Sequence, residues 1–275
     1  MSAGHADPAA PPPAGSMQWH AWLYTPPPGR TLVAAIFALE AELRRIAEAR
    51  IDHGVAHLKL HWWREEILRL EQGQPRHPLT QAALAAAASG TGWRPLLDLL
   101  SSLELDLACS TYETEAELDY YFVLASGLQR AMAQLLASAD ERVAQIANAA
   151  GQCIRGIEII RDLRQDATKG RIYLPLAWLD AEGIDHIELR AGHLSPGVVR
   201  CLARLAGKSR DLGQRALDAL TGGEFAALRG QRVLLGLHQA LLDRIERRQF
   251  EVGRQWQSLG AMQSLWTAWR AARQH

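Results

Sequence analysis

Two aspartates hold the clearest chemistry in this sequence. Asp162 and Asp166 stand four residues apart in Arg161-Asp162-Leu163-Arg164-Gln165-Asp166, which runs on into Ala167-Thr168-Lys169-Gly170-Arg171-Ile172-Tyr173-Leu174-Pro175. On a helix that spacing puts both carboxylates on one face. Such a pair suits a hard cation such as Mg²⁺, which takes oxygen ligands, keeps waters and shares phosphate oxygens. Arg161, Lys169 and Arg171 add the positive charge that diphosphate oxygens require. The same spacing also describes a solvated helix end with ordinary Arg–Asp pairs, and spacing alone does not separate the two.

Three further groups of residues have spacings that bear on chemistry. Arg44 and Glu48 are four apart and read as a surface ion pair. Alternatively, Arg44 and Arg45 bind a diphosphate directly, in the place of a metal ion. His53, His57 and His61 recur every fourth residue and Glu65 continues the row. This reads as a polar stripe opposite a Val55, Leu58, Trp62 face, with a zinc-binding face as the rival. Among nine tryptophans, Trp62, Trp63 and Trp93 are expected in the core or in a cavity wall. Trp266 and Trp269, with Leu265 and Arg270, form an amphipathic C-terminal helix expected to pack on the bundle, with a membrane surface or a partner as the other reading. Gly-rich nucleotide loops, nucleophile elbows and zinc-protease motifs are absent.

The elements that must position these residues are helices. After Pro26-Pro27-Pro28-Gly29 the sequence predicts helices over 31–50, 54–71 and 95–107, with Gly73-Gln74-Pro75 and His77-Pro78 as the break between the second and its successor. Thr114 to Glu117 forms a capping box that opens a helix to about Ala137. Further helices are expected over 140–166, 195–222, 224–248 and 256–273. Sustained two-residue alternation and hairpin turns are lacking, so the reading is one all-α domain of eight to ten helices over 17–275. It is preceded by a disordered Ala/Pro-rich leader over 1–16.

Composition narrows the function classes. The 275 residues hold 30 basic and 30 acidic side chains, for a net charge of zero. That leaves no excess for an extended nucleic-acid surface. Three scattered cysteines offer neither a disulfide framework nor a Cys-based metal site. No stretch approaches the roughly 20 apolar residues of a membrane span, and no secretory signal pattern opens the chain. The expected location is the cytoplasm, or the periphery of the inner membrane.

The string Arg161-Asp162-x-x-x-Asp166-x-x-x-Gly170-Arg171-Ile172-Tyr173-Leu174-Pro175 resembles the second aspartate-rich motif of the squalene/phytoene synthase family. Ala35-Ile36-Phe37-Ala38, with Arg30 before it, is similar to that family's Ala-Leu-Tyr-Ala-Phe segment. Trp63-Arg64-Glu65 and the stretch from Gly73 to Pro78 resemble its Trp-centred helix and its Gly-x-x-x-His-Pro connection. Leu118, Tyr120 and Ala125 resemble its Leu-x-x-Tyr…Val-Ala-Gly helix. The resemblance implies an isoprenoid-synthase-type helical bundle around a central apolar cavity. It also implies Mg²⁺-dependent head-to-head joining of prenyl diphosphates. Asp162 and Asp166 would be the metal ligands, Arg161 and Arg171 the diphosphate clamps, and Tyr173 a polar group of the cavity. The metal would neutralise the leaving diphosphate, and a dry pocket would shield the allylic cation.

The sequence departs from that pattern where the first aspartate-rich motif belongs. Those positions hold Arg44, Arg45 and Glu48, while Arg155 and Glu158 replace the family's usual Gln and Asn, and Ser126 and Gln129 alter its Gly-rich turn. The departure resembles a divergent branch that includes a mitochondrial complex I assembly factor. Two functions are therefore expected as rivals: a prenyltransferase with a degenerate metal site, or a non-catalytic scaffold that binds an isoprenoid lipid or a protein partner. In either case Arg44 or Arg45 should face Asp162 across the cavity and pair with Asp162, Asp166 or Glu158.

Overall fold

A computed structural model describes residues 10–48, 52–88, 92–185, 189, 194–252 and 257–273. Residues 1–9 of the leader and the expected helix bounds Arg50 and Trp256 lie outside them. The described chain forms thirteen α-helices and no strand. They are α1 (Met17–Tyr24), α2 (Arg30–Glu48), α3 (His53–Glu71), α4 (Pro78–Ala86), α5 (Pro95–Leu107), α6 (Glu115–Ala125), α7 (Gly127–Leu136), α8 (Glu141–Thr168), α9 (Leu176–Ala181), α10 (Pro196–Asp218), α11 (Gly222–Ala227), α12 (Arg229–Arg247) and α13 (Ala261–Arg273).

Local chemistry sets many of the helix starts. The side chains of Ser16, Asp52, Thr114, Asp140 and Ser195 each accept a hydrogen bond from a backbone N–H of the first turn. Glu117 reaches back as in a capping box, but its carboxylate accepts from the N–H of Glu113, one residue before the Thr114 cap, at 2.8 Å. Pro78, Pro95 and Pro196 stand in first turns, where a missing N–H costs nothing.

The 28-residue α8 is the central member and packs against α6, α7, α10 and α12. Glycines allow its closest contacts. A Cβ on Gly156 would lie 2.2 Å from the Ser209 Oγ of α10, and one on Gly151 would lie 2.7 Å from the Ser126 Cβ. Ile157, Ile159 and Ile160 of α8 are fully buried with Leu96, Leu99, Tyr121, Phe122 and Leu205, and one large core joins most of the helices.

Two sequence expectations change here. The helix expected over 114–137 is two helices, α6 and α7, divided at Ser126, and Gly127 just after the division packs directly on the α5 backbone. On α3 the buried face is Ala56, Leu60, Trp63, Ile67 and Leu70, while Val55, Leu58 and Trp62 are exposed. Both rows satisfy helical spacing. Only packing against α5, α2 and α4 selects between them.

Candidate functional site

Helices α2 and α8 form facing walls of a cavity of about 1030 Å³. From α8 come Arg155, Glu158, Asp162 and Asp166, at offsets of three, seven and eleven that keep them on one helix face. From α2 come Phe37, Ala38, Glu40, Ala41, Arg44 and Arg45. Leu103 and Asp106 of α5, His77, Leu79 and Arg171 close the ends, and Ala10 to Pro13 border it as well. The cavity is apolar only in part. Ala34, Phe37, Ala38, Leu79 and Leu103 give a greasy wall, and the charged side chains gather on α8 and on the C-terminal half of α2.

Arg155 organises the charged side. It is buried, and its Nε and Nη2 donate to the Tyr121 hydroxyl at 2.8 and 2.6 Å. Nη2 also donates to the Tyr173 hydroxyl at 2.9 Å and lies 3.5 Å from Asp106, while Nη1 lies 3.4 Å from Glu158. Both tyrosine hydroxyls donate to Asp106 Oδ1, at 2.8 Å from Tyr121 and 2.6 Å from Tyr173. The guanidinium carbon sits 5.5 Å from the Tyr121 ring centroid and 5.0 Å from that of Tyr173. Burial pushes both phenols well above their ordinary range, so they stay protonated as donors. Burial also opposes the charge on Arg155, but the surrounding acceptors outweigh it and its pKa rises.

Arg44 faces this group from α2. Its Nε donates to Glu40 at 2.7 Å, and its Nη2 lies 3.9 Å from Glu158. Burial raises the Glu158 carboxyl, yet Arg44, Arg155 and Arg161 together hold it down to about 2. The sequence places Arg44 correctly across from α8, and of the three acids considered its partner is Glu158. Arg45 turns to Glu42 at 2.6 Å on the exposed rim.

Asp162 is clasped by its own neighbour. Arg161 Nε and Nη2 donate to its two oxygens at 2.8 and 2.6 Å. Asp166 is buried without such a fork, and burial, reinforced by Asp162, raises its carboxyl to about 6. Arg171 lines the cavity but spends two donors on backbone: Nε on the Asp106 carbonyl at 2.9 Å and Nη2 on that of Ala47 at 2.8 Å. It ties the ends of α2 and α5 together. Tyr173 lies behind Arg155, outside the cavity lining, with its hydroxyl already engaged.

Asp106 and Tyr121 were not singled out from the sequence. Asp106 is an acid on the buried Leu99, Leu103 face of α5, and a carboxylate on an apolar stripe is the signal that marks it. Tyr120, chosen for the Leu-x-x-Tyr helix, is exposed. Tyr121 is the buried ring, and it has the three-residue spacing from Leu118.

Among the described residues, no group of three or more His, Cys, Asp or Glu is arranged to hold a metal ion. The His53, His57, His61 row is exposed on α3, with His61 3.5 Å from Glu65.

Comparison with known proteins places this geometry in context. The family model for squalene/phytoene synthase matches residues 19–269. A phytoene synthase from Thermus thermophilus is 30% identical over 195 residues, 67% of this chain and 63% of that protein. A chloroplastic phytoene synthase from Narcissus pseudonarcissus is 27% identical over 224 residues, 77% of this chain and 53% of that protein. The chain thus spans less than two thirds of the length of either relative. The solved squalene synthase HpnC from Alicyclobacillus acidocaldarius superposes with a TM-score of 0.72 at 23% identity, covering 84% of this chain and 88% of its own. A ligand-bound dehydrosqualene synthase superposes with a TM-score of 0.78 at 17% identity, covering 93% and 90%.

Proposed function

The chain belongs to the squalene/phytoene synthase family, and on that footing we propose that its cavity takes a prenyl diphosphate and grips the diphosphate with arginines. The isoprenoid chain would lie along Phe37, Ala34, Ala38, Leu79 and Leu103. A cavity near 1030 Å³ is at the upper end of the usual range for small-molecule pockets. The observation that supports the grip is Arg44 on α2 opposite Arg155 and Arg161 on α8, with guanidinium groups on both walls. A diphosphate entering between them would take over the forks now shared with Glu40, Glu158 and Asp162.

The residues present fit a Mg²⁺ ion poorly. Asp162 would have to release Arg161, Asp166 favours its proton at mildly acidic pH, and Arg44 stands on the opposing wall. Ion and arginine would compete for the same carboxylates. In a transfer reaction of the head-to-head type, Arg44 and Arg161 would therefore bear the charge of the departing diphosphate, and the greasy wall would keep water from the allylic carbon.

The same arginines also favour a second reading, a scaffold that binds the isoprenoid without turning it over or that serves a protein partner. One experiment covers both. Purified protein is titrated calorimetrically with a non-hydrolysable farnesyl diphosphate analogue, with and without chelator. It is then incubated with farnesyl and geranylgeranyl diphosphate for product analysis. The proposal expects binding that survives chelator and is weakened at least tenfold by Arg44→Ala. Products assign transfer, and binding without products assigns the scaffold. Absence of binding in both conditions, or binding that needs added Mg²⁺, rejects the arginine grip.

A further inference from the structure

The C-terminal helix α13 is packed inside out. Its buried residues are the small Ser264 and Ala268, whereas Met262, Leu265, Trp266 and Trp269 face outward with exposures of 80, 48, 61 and 40%. The inward side meets α12 closely: Ala268 packs with Val233 and Leu237, and a Cβ on Gly236 would lie 2.9 Å from the Ala271 Cβ. The packing therefore fixes which face is outside. Trp266 and Trp269 stack at 5.0 Å between centroids, and the Arg273 guanidinium lies 4.5 Å over the Trp269 ring. Exposed large side chains grouped on one helix face mark an interaction surface more strongly than scattered ones.

A groove of about 880 Å³ continues this face, lined by Tyr24, Phe225, Trp269, Arg229 and Arg273 with no carboxylate among its described lining residues. Beneath it Arg232 is buried against the Phe225 ring, and its donors go to the carbonyls of Phe225 and Ala271. Burial and the neighbouring Arg229 lower its pKa to about 10. From residue 252 onward the sequence has no Asp or Glu at all, while Arg254, Arg270 and Arg273 are basic. The groove shares no lining residue with the central cavity.

We propose that the outer face of α13 and this groove dock on an anionic lipid bilayer. Tryptophans prefer the interface between headgroups and acyl chains, and arginines can lie along the same face while reaching headgroup phosphates. A second copy of the chain fits less well, because a two-fold contact would set two such Arg229 and Arg273 patches against each other with no acid in the groove's described lining to offset them. No helix among the described residues is long and apolar enough to cross a membrane, so the contact is a surface one.

The test is flotation of the full chain with phosphatidylcholine vesicles, alone or with about one-third phosphatidylglycerol. The proposal expects partition to the anionic vesicles only, reversal by high salt, and about tenfold or greater loss in both Trp266→Ser/Trp269→Ser and Arg229→Glu/Arg273→Glu. Circular dichroism and a thermal melt establish that the variants remain folded, and the exposed tryptophan pair carries the test if the arginine pair does not fold. No partition, equal partition to neutral vesicles, or retention by a folded variant overturns it. So does a concentration-dependent dimer that the tryptophan changes abolish while vesicles remain unbound, which would assign the face to a second copy.

Discussion

Arg161 clasps Asp162, its chain neighbour, through both carboxylate oxygens, at 2.8 and 2.6 Å. The carboxylate best placed to begin a metal site is therefore already occupied by a fixed cation. Asp166, one turn further on, has no equivalent fork, and burial works against its ionised form. The four-residue pair thus has one carboxylate satisfied by its own neighbour and one that burial disfavours as an anion.

Removing the clasp should expose that latent capacity. Arg161→Gln keeps a polar side chain, frees both oxygens of Asp162 and removes one of the cations that repel a divalent ion. Calorimetric titration with Mn²⁺ as a probe should show no binding at millimolar ion in the native chain and measurable binding in the variant. Equal behaviour of the two proteins would mean that Arg44 and Arg155, not the clasp, keep cations out.

Asp166 should make stability depend on pH. Its carboxyl is raised from 3.8 to about 6 on folding. The folded state therefore holds a proton that the unfolded chain releases, and this stability is fully present below about pH 4 and lost as pH rises through 6. Asp166→Asn should accordingly gain roughly 1–3 kcal/mol near pH 8, an upper range set by about two units at 1.36 kcal/mol each. The gain should shrink toward pH 4. Urea unfolding at both pH values checks this, and a variant that is less stable at pH 8 would contradict it.

Much of this arrangement was legible because it lies along single helices. Asp162 and Asp166 share a face by spacing alone, and Thr114, Asp140 and Ser195 announce helix starts through their caps. The Asp106–Tyr121–Arg155–Tyr173 cluster was not legible as a unit. Its members are 15 to 67 residues apart in sequence, and each one looks ordinary in its own helix. The two α-helical faces were misjudged for a related reason. On α13 the large apolar row faces outward and Ser264 and Ala268 face in, while on α3 two apolar rows share the helical period and the one with Leu60, Trp63, Ile67 and Leu70 is buried, so periodicity alone does not choose. Only the neighbouring helix decides.

The division between α6 and α7 is another case that depends on a neighbour, and it gives a stability prediction. A Cβ on Gly127 would meet the Pro95 carbonyl oxygen at 2.1 Å and the Leu99 nitrogen at 2.8 Å, both backbone atoms of α5. Backbone cannot yield as a side-chain tip can, so Gly127→Ala should cost about 2 kcal/mol or more despite the better helix propensity of alanine. Calorimetry should show a melting point lower by about 5 °C or more. An unchanged melting point would mean that α7 can slide away from α5.

Arg155 offers the sharpest separation of charge from packing. Its guanidinium bonds Tyr121 and Tyr173 and lies beside Asp106 and Glu158 in the buried wall of the cavity. Arg155→Leu replaces it with an apolar side chain of smaller reach and leaves Asp106 as a buried carboxylate with only phenol donors. Removing one partner of a buried pair typically costs about 3–5 kcal/mol, mostly through the charge left behind. Glu158 keeps Arg44 and Arg161, so the loss should fall on Asp106. Adding Asp106→Asn removes that charge while still accepting from one tyrosine hydroxyl, and the double variant should recover most of the deficit. Urea denaturation of the two single variants and the double variant completes the cycle. A coupling energy near zero would show that Arg155 acts through shape and ring stacking, and that its charge is balanced elsewhere in the cavity.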